Sequence, residues 1–102
     1  MATASVISID RYVVDCLMRD LVGHDRSPSA FIVYLAIVAA AAEGRALLSH
    51  SALADRTGFS KRSCQSAVAH LARRGLIELH RSGVTEIAEY RPLRPWNRGA
   101  SS

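Results

Sequence analysis

Cysteine, lysine, proline and aromatic residues are all scarce in this 102-residue chain: two cysteines, one lysine, three prolines and 6% aromatics. Cys16 and Cys64 lie far apart, without the paired spacing of a zinc site, a redox motif or a disulfide framework. Both fall on apolar helical rows and read as buried free thiols in a reducing compartment. No glycine-rich phosphate loop, nucleophile elbow or carboxylate pair is present. The four histidines, His24, His50, His70 and His80, are scattered over a linker, a helix start, a helix and a hairpin. That dispersal predicts no enzyme, no metal and no cofactor. The longest apolar run, Ala30 to Ala42, falls short of the roughly 20 residues that span a bilayer. The first residues lack the basic region and apolar core of a secretion signal. These absences together predict a cytoplasmic protein without a membrane partner.

What is there describes one folded domain over 1–102, with a core at about 8–91 and a flexible tail at about 97–102. Hydrophobic residues make up 49% and charged residues 22%, the proportions of a chain able to bury a modest core. The net charge of +4 is unevenly spread. Residues 1–45 carry four arginines against five acids, whereas residues 46–102 carry nine lysines and arginines against four acids. The positive half is suited to a phosphate backbone, although an acidic protein surface would be attracted equally.

That basic half opens with a stretch that predicts two helices joined by a tight corner. Ser49 can cap a short helix with Leu53 and Ala54 facing inward, Gly58 supplies a left-handed end, and Phe59 plugs the corner. Ser60 caps the next helix, in which Cys64, Ala67, Val68 and Leu71 repeat at i, i+3, i+4, i+7, before Gly75 stops it. At 100° per residue, Arg62, Ser66, Ala69 and Arg73 lie opposite that apolar row, flanked by Gln65 and His70, with Lys61 near the start. A helix entering the major groove needs this mixture: cations for guanine edges and phosphates, an amide for adenine, and short side chains for close approach. The alternative is an ordinary solvated face.

Around this unit the chain reads as follows. Ser8 caps a first helix to about Leu21 with Val14, Leu17, Met18 and Leu21 as its buried stripe, and Gly23 ends it. Ser27-Pro28 starts a second helix, apolar on every side, which must be covered on every side. Covering it predicts a homodimer through helices at about 9–22 and 28–43, with small Ala39 to Ala42 admitting a second backbone; the alternative is a monomer that buries this helix itself. After Gly75, Ile77 and Leu79 point inward on one strand, Ser82-Gly83 turns, and Val84 to Tyr90 returns with Glu86 on the same face as Val84, Ala88 and Tyr90. The hairpin either presents Arg81 and Thr85 to a groove or only closes the core. Two close prolines keep the tail from Arg91 irregular, and Trp96 either folds back on the core or serves an interface.

The order of capped helix, Ser27-Pro28 helix, Leu53-Ala54 with Gly58-Phe59-Ser60, and Leu71-Ala-Arg-Arg-Gly-Leu-Ile77 leading into a hairpin resembles the bacterial winged helix-turn-helix domains, in particular those of replication initiators and small transcription regulators. The resemblance covers about residues 8–91. It implies a mainly α fold of four helices plus a two-stranded wing at about 78–90. It also implies that Ser60 to Ser66 face the major groove and Arg81 to Thr85 the minor groove. It implies neither an effector pocket nor replication activity.

The function expected from these observations is sequence-specific binding of double-stranded DNA as a transcriptional regulator, of repressor or plasmid- and phage-type control character. The helix at about 60–74 would be the reader, with Arg62, Gln65 and Ser66 on bases and Arg56, Arg73 and Arg74 on phosphates. Ser60, Lys61, Ala69, His70, Arg81 and Thr85 complete the expected contact set. The competing expectation is a protein-interaction module, motivated by the apolar Ala30 to Ala42 helix and by Glu78, Glu86 and Glu89 in the hairpin.

Overall fold

The computed structural model describes residues 6–81 and 86–96. Its N-terminal helix is wound in two π-type segments, Val13–Leu17 and Arg19–His24. There follow α1 (Pro28–Ala41), β1 (Ala46–Leu48), α2 (His50–Thr57), α3 (Lys61–Arg73), β2 (Ile77–His80) and β3 (Ala88–Pro92). The strands form one antiparallel sheet in the order β1-β3-β2. The fold is mainly helical and of winged-helix type, with three strands where two were expected. The additional strand is only three residues long, too short for its alternation to stand out in the sequence. It forms because Ala46 and Leu48 are buried opposite Tyr90 and Ala88.

The wide winding of the N-terminal helix changes which residues it buries. Met18 N–H bonds the carbonyl of Val13, and Asp25 N–H that of Asp20, both i→i+5. With more residues per turn than an α-helix, neighbours three apart swing off a common face while neighbours four apart stay near it. Val13, Leu17 and Leu21 are therefore buried, and Val14 and Met18, expected in the stripe, stay exposed. Nor does Ser8 cap this helix, whose first turn closes on the carbonyl of Asp10. Gly23 lies inside the second segment, and the left-handed residue after the helix is Arg26, at φ 55°.

Helix α1 runs through the middle of the core, packed against α3, β3, the N-terminal helix and α2. Ala30, Phe31, Val33, Tyr34, Ile37 and Ala40 are buried, and Ile32 is exposed. Pro28 sits in the first turn as expected, whereas the Ser27 side chain makes no capping bond. Since Ala40 is buried and Ala41 packs on the chain's own core, most of the apolar helix is covered without a second subunit.

The sheet and tail close the other side. Ala88 and Tyr90 face the core in a strand that begins at Ala88, so Glu86 lies outside it and is exposed. That later start removes the conflict in the expected period. Leu79, predicted to point inward, is 38% exposed across from Tyr90. The Tyr34 hydroxyl donates to the Leu93 carbonyl at 3.1 Å, and burial pushes its pKa up to about 12, so it remains a donor. Trp96 folds back: its ring stacks on Tyr12 with centroids 4.7 Å apart, and its indole N–H donates to Asp10 Oδ2 at 2.9 Å.

Candidate nucleic-acid interface

The corner between α2 and α3 is built by local hydrogen bonds. Ser49 Oγ accepts from Ala52 N–H at 3.1 Å, and Ser60 Oγ accepts from Ser63 N–H at 3.0 Å, so each serine caps its helix. Gly58 takes φ 85°, where a side chain would be strained, and its N–H bonds the Ala54 carbonyl. Thr57 stitches the turn, its hydroxyl donating to the Leu53 carbonyl at 2.8 Å and accepting from Phe59 N–H at 3.2 Å. Leu53, Cys64, Ala67, Val68 and Leu71 are buried beneath it. The rotation of α3 is set by that apolar row.

With that row buried, Lys61, Arg62, Gln65, Ser66, Ala69 and Arg73 are all exposed along α3, and Arg56 is exposed on α2. Ser60 is exposed as well, with its hydroxyl committed to the cap. Several cations elsewhere are already ion-paired. Arg11, Arg45, Arg91 and Arg94 are ion-paired to Asp15, Glu89, Glu78 and Asp10. Among the described residues, Arg56, Lys61, Arg62, Arg73 and Arg81 have no acidic partner. Helix α3 contains no acid, and α2 contains only Asp55. Arg19 and Arg26 near the N-terminal helix also lack an acidic partner, but five of the unpaired described cations fall on α2, α3 and the end of β2, where they are available to an anionic partner.

Two expected contacts have a different occupation. Asp25 Oδ2 accepts from His70 Nε2 at 2.8 Å and from Arg74 Nε at 2.9 Å, while its Oδ1 lies 3.0 Å from His24 Nδ1. Arg74 also reaches Asp20 at 3.8 Å. The Asp25 side chain is 7% exposed. Its hydrogen bonds with His24 and then His70, with further help from Arg74, hold its carboxyl at about 2, below the ordinary 3.8. His70 and Arg74 thus tie the last turn of α3 to the linker before α1, a pairing across 45 and 49 residues that no local periodicity reports.

A residue absent from the expected set also joins this surface. His50, the first residue of α2, has Nδ1 3.4 Å from Gln65 Nε2 on α3. Its pKa is lowered by burial, then by the positive charges of Arg81 and Lys61, against an opposing pull from Glu86. Gln65 is fifteen positions away, so only the corner brings the two together. On the wing, Arg81 follows β2 and is exposed. Thr85 and the expected turn at Ser82-Gly83 lie outside the described residues. The outward side of the sheet pairs Glu78 with Arg91 and Glu89 with Arg45.

Among the described residues, no group of three histidine, cysteine or acidic side chains is placed to hold a metal ion. No described helix is long and apolar enough to cross a membrane. Compared with known proteins, residues 27–77 match the model of a helix-turn-helix domain. No curated protein and no solved structure matches the chain.

Proposed function

The chain belongs to the helix-turn-helix domain family, and from that premise we propose that it is a sequence-specific regulator of transcription that lays α3 in the major groove of double-stranded DNA. The observation that carries this reading is the row of exposed cations without acidic partners on α2 and α3. Arg62, Gln65 and Ser66 read base edges, with Ala69 allowing close approach. Arg56, Lys61 and Arg73 hold phosphates, and Arg81 reaches the backbone from the end of β2. His70 and Arg74, held by Asp25, support α3 and are left out of the contact set. A control factor of the repressor or plasmid and phage type, working in the cytoplasm, is the role this reading favours.

Titration with a random-sequence duplex tests it. Four phosphate contacts give a log–log salt slope near −3.6, so affinity should fall about 10²-fold between about 50 and 200 mM salt. No binding at either concentration would instead support a protein-interaction module.

We further propose that two copies associate through the helices at about 9–22 and 28–43. Among the described residues, eight of the eleven large apolar side chains that remain exposed fall between Val6 and Ile32, and Val14, Met18 and Val22 form a stripe at four-residue spacing. A dimer would align two recognition helices with a symmetric operator. Sedimentation equilibrium should return twice the 11.1 kDa chain mass; the single-chain mass at micromolar concentration would refute the pairing.

A further inference from the structure

We infer that His50 is a positioning residue for Gln65, holding the Gln65 amide in the orientation that reads adenine; this rests on the duplex-binding reading above.

The geometry starts at the corner, where α2 begins beside the first turns of α3. Gln65 is exposed on α3 and carries an amide with two N–H donors and one carbonyl acceptor, free to rotate in water. Its Nε2 lies 3.4 Å from Nδ1 of His50, which is itself only partly exposed. A neutral imidazole with its proton on Nε2 offers Nδ1 as an acceptor. Gln65 then gives one N–H to His50 and keeps the other N–H and its carbonyl directed outward. That remaining donor and acceptor are the pair that glutamine presents to N7 and N6 of adenine. Fixing them before the duplex arrives reduces the rotamer freedom lost on binding.

The surroundings keep His50 in the accepting form. Lys61 and Gln65 face it from α3, Arg81 from the end of β2, and Glu86 from the approach to β3. Burial and the two cations together outweigh the glutamate and lower its pKa from the ordinary value. The imidazole is therefore neutral at neutral pH. On protonation, Nδ1 becomes a donor. It can then bond only the Gln65 carbonyl, which turns the amide around and withdraws the acceptor from the groove. Discrimination at one base pair should fall in acid, even as the added charge favours phosphate in general.

The test uses the whole chain and a duplex selected from a random pool, with each base pair then replaced in turn. Fluorescence anisotropy on the wild type, His50→Ala, His50→Asn, Gln65→Ala and the double alanine variant is read at about pH 8 and then at successively lower pH for as long as the chain stays folded. At the base pair where Gln65→Ala abolishes discrimination, His50→Ala should lose about fivefold, the worth of one hydrogen bond. The double variant should match Gln65→Ala alone. His50→Asn, whose side-chain carbonyl also accepts but does not titrate, should restore discrimination and keep it at the acid pH where the wild type loses it. Additive effects of the two alanine substitutions, or identical pH profiles for wild type and His50→Asn, would overturn the positioning role. Failure of every variant, wild type included, to bind any duplex would overturn the DNA reading and this inference with it.

Discussion

Replacing Asp25 with alanine should lower the midpoint of thermal unfolding by about 5–15 °C, the equivalent of about 1–3 kcal/mol in a domain of this size. The carboxylate accepts from His70 and Arg74 on α3 and faces His24 on its own linker, and with only 7% of its side chain exposed it has little water to fall back on. Removing it leaves His70 without its acidic partner and Arg74 with only the longer contact to Asp20, which loosens the end of α3 from the linker before α1. The pH dependence has a definite sign. Since the folded carboxyl titrates at about 2 against an ordinary 3.8, its stabilisation is fully present above about pH 4 and is lost as pH falls toward 2. The stability gap between wild type and Asp25→Asn, measured by urea unfolding, should be widest above pH 4 and shrink through that window. A gap independent of pH would show that Asp25 acts by packing and not by charge.

Arg62→Ala should weaken binding to the selected duplex by about 1–3 kcal/mol and relax the preference at one base pair, with little effect on random duplex. Its neighbours at the other end of α3 divide differently. Arg73 is exposed and has no acidic partner among the described residues, so Arg73→Ala should weaken every duplex alike and reduce the salt slope by about one. Arg74 is bound to Asp25, so Arg74→Ala should reduce thermal stability while leaving the salt slope unchanged. The two adjacent arginines look equivalent in sequence, and band shifts paired with thermal melts separate them. Equal loss of DNA affinity in Arg73→Ala and Arg74→Ala would remove Asp25 as the group that distinguishes them.

The helix-turn-helix was readable because its signals are local. Caps at Ser49 and Ser60, the left-handed Gly58 and the four-residue apolar row of α3 each act within a few residues, and each appears in the structure. Outside that unit the local signals thin out where the geometry becomes less regular. An α-helical period puts Val14 and Met18 in the core, but the N-terminal helix is wound more widely and leaves them exposed. The strand Ala46–Leu48 was too short to show a period. Two roles are open to Trp96 in the sequence, and its partners Tyr12 and Asp10 decide between them.

Sequence alone therefore determined the rotation of α3, because burying Cys64, Ala67, Val68 and Leu71 forces Arg62, Ser66 and Arg73 to the outside whatever surrounds them. Tertiary structure alone decided which polar groups on and around that helix are spoken for. Asp25 meets His70 and Arg74, and His50 meets Gln65, only once the linker and the corner are folded. Periodicity follows from the geometry of a single helix, whereas the partner of a charge depends on chain segments that come close only through the packing of the whole core.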